Sequence, residues 1–177
     1  MPSILCTRAL WRQLGGRGDL PSRLAASPPR PGALLGDWTA KRFALGRRKF
    51  VIALNERTYL VALSPLLRLP GVLAALAASV CWQLEQLGVP PGDARSEAEE
   101  FLRPTFVKND SKSLLGSLND LAYLAEPDLS ELSRDASDEL LRAAAQLSET
   151  PHLHRNPVRP TDAVRKLFAL PARATAG

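Results

Sequence analysis

Three apolar runs, WTAKRFAL, KFVIAL and TYLVAL, follow one another between Trp38 and Leu63, separated only by GRR and NER. Runs of this length, rich in β-branched and aromatic residues and divided by tight polar gaps, are the pattern of antiparallel hairpins. Residues 38–63 are therefore expected to form a three-stranded meander, and every other element has to pack around it.

The flanking sequence supplies mainly helices. Leu73, Leu76, Val80, Leu84 and Leu87 recur at helical spacing, which predicts a helix over 71–87 with one face deep in a core. Ser96 with Glu97, Glu99 and Glu100 predicts a short helix with an acidic first turn. Ser111 to Glu126 reads as a strong helix ended by Pro127, with Leu114, Leu118, Leu121 and Ala125 inward. Asp128 and Glu131 resemble a capping box opening a further helix toward Ser148, with Leu129, Leu132, Ala136, Leu140 and Leu147 on its core side. A last short helix is expected from Asp162 to Phe168. Ile4–Cys6 and Pro104–Val107 are short strand candidates, the latter joining the meander or pairing with residues 4–6, and Arg8–Leu14 is helical up to Gly15. The fold class this order implies is α+β: an antiparallel sheet, the meander plus one or two short strands, packed against several helices and covered on one face.

The organisation follows from composition shifts. Residues 1–126 form the core domain, with a proline-rich connector over 20–35; residues 127–150 are a helical extension of it; residues 151–177 are a proline-rich basic tail. With 45% hydrophobic residues the chain can build a core, and with two cysteines, Cys6 and Cys81, it is no disulfide scaffold and suits a reducing, cytoplasmic setting. The apolar run at residues 4–6 is too short for a secretory signal. Val72–Trp82, the longest apolar stretch, falls well short of the ~20 residues that span a bilayer. No membrane association is expected.

The net charge of +5 is unevenly spread. Residues 1–50 hold ten Lys/Arg against two acids, residues 51–150 carry an acidic excess, and the tail is basic again. Two segments stand out. In the first, Arg47, Arg48 and Lys49 crowd a hairpin turn beside Lys41 and Arg42, with Trp38, Phe43 and Phe50 interleaved and Asp37 placed to cap or orient a turn. Cations on a hairpin with aromatic neighbours can neutralise phosphates and stack on bases; basic turns equally keep sheets from pairing edge to edge. Strand alternation adds that if Phe43 and Leu45 face the core, Lys41 shares their side and Arg42 does not. In the second segment, Lys108, Asn109, Ser111, Lys112 and Ser113 surround the start of the 111–126 helix, whose outer stripe carries Gly116, Asn119 and Tyr123. A helix N-terminus with hydroxyls and ammonium groups suits an anion, and a glycine inside a helix suggests close approach by a neighbour; a simple cap with solvated lysines accounts for the same residues.

Catalytic signals are weak. His152 and His154 lack the further ligands a metal site needs, Cys6 reads as a packing thiol, and no nucleophile–base constellation is present, so neither cofactor nor metal is expected. The residues Gly36, Asp37, Trp38, Phe43, Arg47, Arg48, Lys49, Asn55, Glu56 and Thr58, with Asn109, Ser111, Ser113, Gly116, Asn119 and Asp120, resemble an uncharacterised bacterial family. Its pattern is similar to LGDW-x-A-N-x-F, an RRK turn, TNE-x-T and N-x-S-x-S-[VIL]-[LI]-G-[SM]-x-ND. Lys41 stands where that family has Asn. The resemblance implies a bacterial, cytoplasmic origin and no particular activity. Three functional classes remain open. The leading one is a non-enzymatic binding protein for nucleic acid or another anionic partner. A toxin-like ribonuclease would use Lys/Arg with Asn119, Tyr123 or His152, and an antitoxin-like protein would dock a protein partner through its tail.

Overall fold

The computed structural model describes residues 3–21, 34–130, 137–150 and 159–171. Its elements run β1 (Ser3–Cys6), α1 (Arg8–Gln13), β2 (Trp38–Leu45), β3 (Arg48–Asn55), β4 (Val61–Pro65), α2 (Leu69–Gln86) and α3 (Pro91–Glu99), then a 3-10 turn (Glu100–Leu102), β5 (Thr105–Lys108), α4 (Lys112–Leu124), α5 (Glu126–Ser130), α6 (Ser137–Ser148) and α7 (Pro160–Leu167). The fold is α+β. The sheet order is β4-β3-β2-β1-β5. β2, β3 and β4 form the antiparallel meander, with Leu45 opposite Arg48 and Leu54 opposite Val61. Both short strands join the sheet, and β1 pairs parallel with β2 and with β5, so the sheet is mixed. Helices separate β1 from β2 and β4 from β5, and a chain that crosses over a face can return in the same direction.

The expectation of one covered face is corrected: helices pack on both. Ile4, Cys6, Trp38, Ala40, Val51 and Ala53 meet α1, α2 and α3, while Phe50, Ile52, Leu54, Val61 and Leu63 meet α4, α5 and α6. Alternating positions of β3 point to opposite layers, which is why the strand is buried without a break from Phe50 to Asn55.

Several boundaries differ from expectation for identifiable reasons. β4 starts at Val61 because residues 56–60 are taken up by a turn that Asn55 organises. The Asn55 Oδ1 accepts from the amides of Arg57 and Thr58 and from the Thr58 hydroxyl, its Nδ2 donates to the carbonyls of Leu35 and Asp37, and Tyr59 takes a left-handed φ of 63°. α2 begins at Leu69 and α3 at Pro91, each with a proline in its first turn, where a missing N–H costs nothing. Pro127 lies within α5 for the same reason, which places Asp128 inside that helix instead of at a cap. Glu131, Leu132 and Ala136 fall outside the described residues, as do His152, His154 and most of the proline-rich connector. The short helix expected in the tail is α7, where Val164 is fully buried and Leu167, with Phe168 and Leu170 just after the helix, packs against the α2 side of the core.

Side chains close the edge strand β4 at Val61. The Val61 N–H donates to Ser148 Oγ at 3.0 Å, and its carbonyl accepts from Gln83 Nε2 at 2.8 Å. The Ser148 hydroxyl in turn reaches Gln83 Oε1 at 2.9 Å. This buried network joins α2 on one face to α6 on the other and leaves no free Val61 groups to pair with another strand.

Candidate functional site

The β2–β3 hairpin turns through Gly46 and Arg47, and Gly46 supplies the left-handed φ, 56°, that a two-residue turn needs. Phe43 and Leu45 pack on the α4 side, as the alternation implied, and Lys41 shares that side. Its amine donates to Asn119 Oδ1 across the gap to α4, and burial pushes its pKa down. Phe43 and Phe50 stack on each other at 5.5 Å. Trp38 is only 1% exposed and meets the ring of Phe101 edge-on at 4.8 Å. It is a core residue, so the expectation that its ring serves a ligand is corrected. Asp37 accepts the Ser3 amide at 2.8 Å and thereby fixes the start of β1.

What the hairpin presents outward is charge. Arg42, Arg47, Arg48 and Lys49 are all exposed. Lys49 lines a cleft of about 630 Å³ with Gln13, Leu14, Leu66, Leu67 and Arg68, and its carbonyl accepts the Leu66 amide at 2.8 Å, tying the β4–α2 turn to the hairpin. Arg42 lies on the same face of the hairpin as Lys49, whose partner across the sheet, Ala44, is two residues on. A second hollow, about 660 Å³, lies on the other side of the turn between Arg47, Arg48, Glu126, Pro127 and Ser130.

The start of α4 is quieter. Lys108 pairs with Asp110 at 2.9 Å, Asn109 Oδ1 accepts the Ser111 amide, and Ser111 Oγ caps the helix by accepting from the Leu114 N–H. Lys112 and Ser113 are exposed. Gly116 has no atom within 4 Å of the place a Cβ would occupy, so among the described residues nothing approaches its backbone closely. Thirteen helical residues, about 20 Å at 1.5 Å per residue, separate this region from the α4–α5 junction beside the hairpin tip. The structure therefore does not bring the two sequence-predicted groups together: Arg47, Arg48 and Lys49 stand at one end of α4, and Lys108, Asn109, Ser111, Lys112 and Ser113 at the other. Lys41–Asn119 is the bond that links the two segments.

Arg68 and Gln13 join the site without having been singled out in the sequence. Arg68 is a lone cation in a leucine-rich stretch, and only the turn after β4 carries it to Lys49. Burial pushes the Cys6 thiol up to about 12, which disfavours its thiolate. Among the described residues no group of three His, Cys, Asp or Glu could hold a metal ion, and no helix is long and apolar enough to cross a membrane.

Comparison with known families matches a domain of unknown function, DUF6933, over residues 3–163. The chain belongs to this family. No curated protein and no solved structure matches it. The DUF6933 match runs from β1 into α7, so it takes in both core layers and the whole basic corner.

Proposed function

We propose that this DUF6933 domain is a binding protein that seats a phosphate-bearing polyanion, a nucleic-acid backbone, on the corner made by the β2–β3 hairpin and the β4–α2 turn. One observation carries the reading. Arg42, Arg47, Lys49 and Arg68 are exposed at this corner with no carboxylate partner among the described residues, whereas Arg8, Lys108 and Arg159 are each paired with an acid. Lys49 and Arg68 line one cleft, and Arg42 and Arg47 stand on the same hairpin; cations grouped in this way raise the local potential and favour phosphates, with counterion release as the driving term. The aromatic rings of the hairpin are packed inward, which supports recognition of backbone charge over base stacking. Lys112 stands at the far end of α4, away from this corner, and Asn119 is engaged by the Lys41 amine.

The test is anisotropy of labelled, mixed-sequence single-stranded RNA and DNA against salt. Binding at about 50 mM salt that weakens as salt rises is expected, and Arg47→Gln, Lys49→Gln or Arg68→Gln each lowers the log–log slope by about 0.7. Lys112→Gln serves as the control and leaves the slope unchanged. Absence of binding at low salt, or equal effects of Lys112→Gln and Lys49→Gln, rejects the proposal.

A further inference from the structure

The C-terminal half of α2 lies away from the basic corner, and there α2, the end of α6 and α7 border a half-open cavity of about 320 Å³ lined by Trp82, Gln86, Gln146, Glu149, Thr161 and Arg165. Its floor includes Gln83, whose amide is held by Val61, Ser79 and Ser148, so that side of the cavity is fixed by the edge-strand network. Thr161 is only 6% exposed, and among the described residues its buried hydroxyl oxygen meets no hydrogen-bond partner. A hydroxyl taken out of water and left unmatched costs free energy, and such groups mark the place of a missing partner.

The other lining groups define what that partner is. Trp82 is half-buried and offers an aromatic surface, and the exposed Gln86 and Gln146 carry amides that can both give and accept hydrogen bonds. Glu149 is matched by Arg159 at 3.8 Å, while Arg165 makes one long bond, to the Pro171 carbonyl at 3.4 Å, and has no carboxylate partner among the described residues. One available guanidinium beside one carboxylate suits a single negative charge and disfavours a dianion. A volume near the lower end of the range for ligand pockets suits one ring system.

We propose that this cavity is a binding site for a small planar aromatic or heteroaromatic carboxylate, its ring against Trp82, its carboxylate on Arg165, and a polar atom bonded to the Thr161 hydroxyl. The site is separate from the basic corner and stands or falls without it.

The probes are nicotinate, benzoate and indole-3-carboxylate, with nicotinamide as the uncharged control and cyclohexanecarboxylate as the non-planar one, titrated into the full chain by calorimetry and ligand-observed NMR. At least one aromatic acid is expected to bind saturably with a dissociation constant below about 1 mM, at least tenfold tighter than either control. Arg165→Gln weakens that acid about tenfold, while Thr161→Val weakens it and leaves the melting temperature of the free protein unchanged or higher, since an unmatched hydroxyl has been removed. No saturable binding by any of the three acids overturns the proposal. So does equal affinity for acids and controls, or unchanged affinity in both variants.

Discussion

Trp11 lies so close over Gly16 that a Cβ carried at position 16 would fall 2.1 Å from Trp11 Cε2 and 2.2 Å from Cδ2. The Gly16 amide also donates to the Trp11 carbonyl at 3.0 Å, closing the end of α1. The ring in turn tilts against Phe106 of β5 at 5.3 Å, so it has little room to retreat. Gly16→Ala is expected to lower stability by about 1–3 kcal/mol through overpacking, read as a lower urea midpoint with a changed near-ultraviolet tryptophan signal. Gly15 beside it is needed for a different reason, a left-handed φ of 89° with open space around its α-carbon.

Gly116 should behave in the opposite sense. It lies inside α4 with nothing within 4 Å of a Cβ position, so alanine gains helix propensity without a clash. Gly116→Ala is expected to raise stability by about 1 kcal/mol, visible as a higher thermal midpoint. An unchanged or lower midpoint would mean that something outside the described residues occupies that space.

Asn55 is fully buried and holds together the β3–β4 turn and the strand-entry segment at Leu35 and Asp37. Asn55→Ala leaves two carbonyls, the amides of Arg57 and Thr58 and the Thr58 hydroxyl without these bonds, and a loss of about 3 kcal/mol or more is expected from chemical denaturation. Thr58→Val, which removes only one of the Asn55 bonds, should cost markedly less.

These residues also show what was legible in the sequence. Spacing alone located the meander and the buried stripes of α2 and α4, because period-2 and period-3.6 patterns report which side of an element is apolar. They do not report which face of a sheet a helix covers, and the two-sided packing followed from long crossovers that have no local signal. Trp38 was misread for a related reason: with both faces covered, both parities of the first half of β2 are buried, so alternation there separates nothing. Cations next to one another in sequence, at the hairpin tip, were visible. Arg68, brought in by a turn between elements, was not.

Ser148 closes the β4 edge together with Gln83. Ser148→Ala strands the Val61 N–H in a buried site, and a cost of about 1–3 kcal/mol is expected. Because the Val61 N–H on the edge then becomes available, the variant should also aggregate faster on partial denaturation, measurable by light scattering at matched fractions unfolded. Ser148→Ala with an unchanged urea midpoint would show that water replaces the hydroxyl at no cost.

Glu97 on α3 accepts the Leu34 amide at 2.5 Å and the Leu35 amide at 3.2 Å, and so pins the chain ahead of β2. Burial pushes its carboxyl above the ordinary 4.5, with the two amide bonds pulling the other way and Glu100 and Asp93 adding a smaller upward push. A carboxyl whose pKa is higher folded than unfolded binds its proton more tightly in the folded chain. Its contribution to stability is therefore fully present below the unfolded pKa of 4.5 and is lost as pH rises through the raised folded value. Glu97→Gln removes this titration while the other carboxyl groups stay, so the stability of the native chain relative to the variant should fall as pH increases across that window. Urea midpoints of both proteins at a series of pH values give the difference directly. Parallel profiles would mean that the carboxyl titrates alike in the folded and unfolded chain, and a difference rising with pH would mean that the amide bonds outweigh burial.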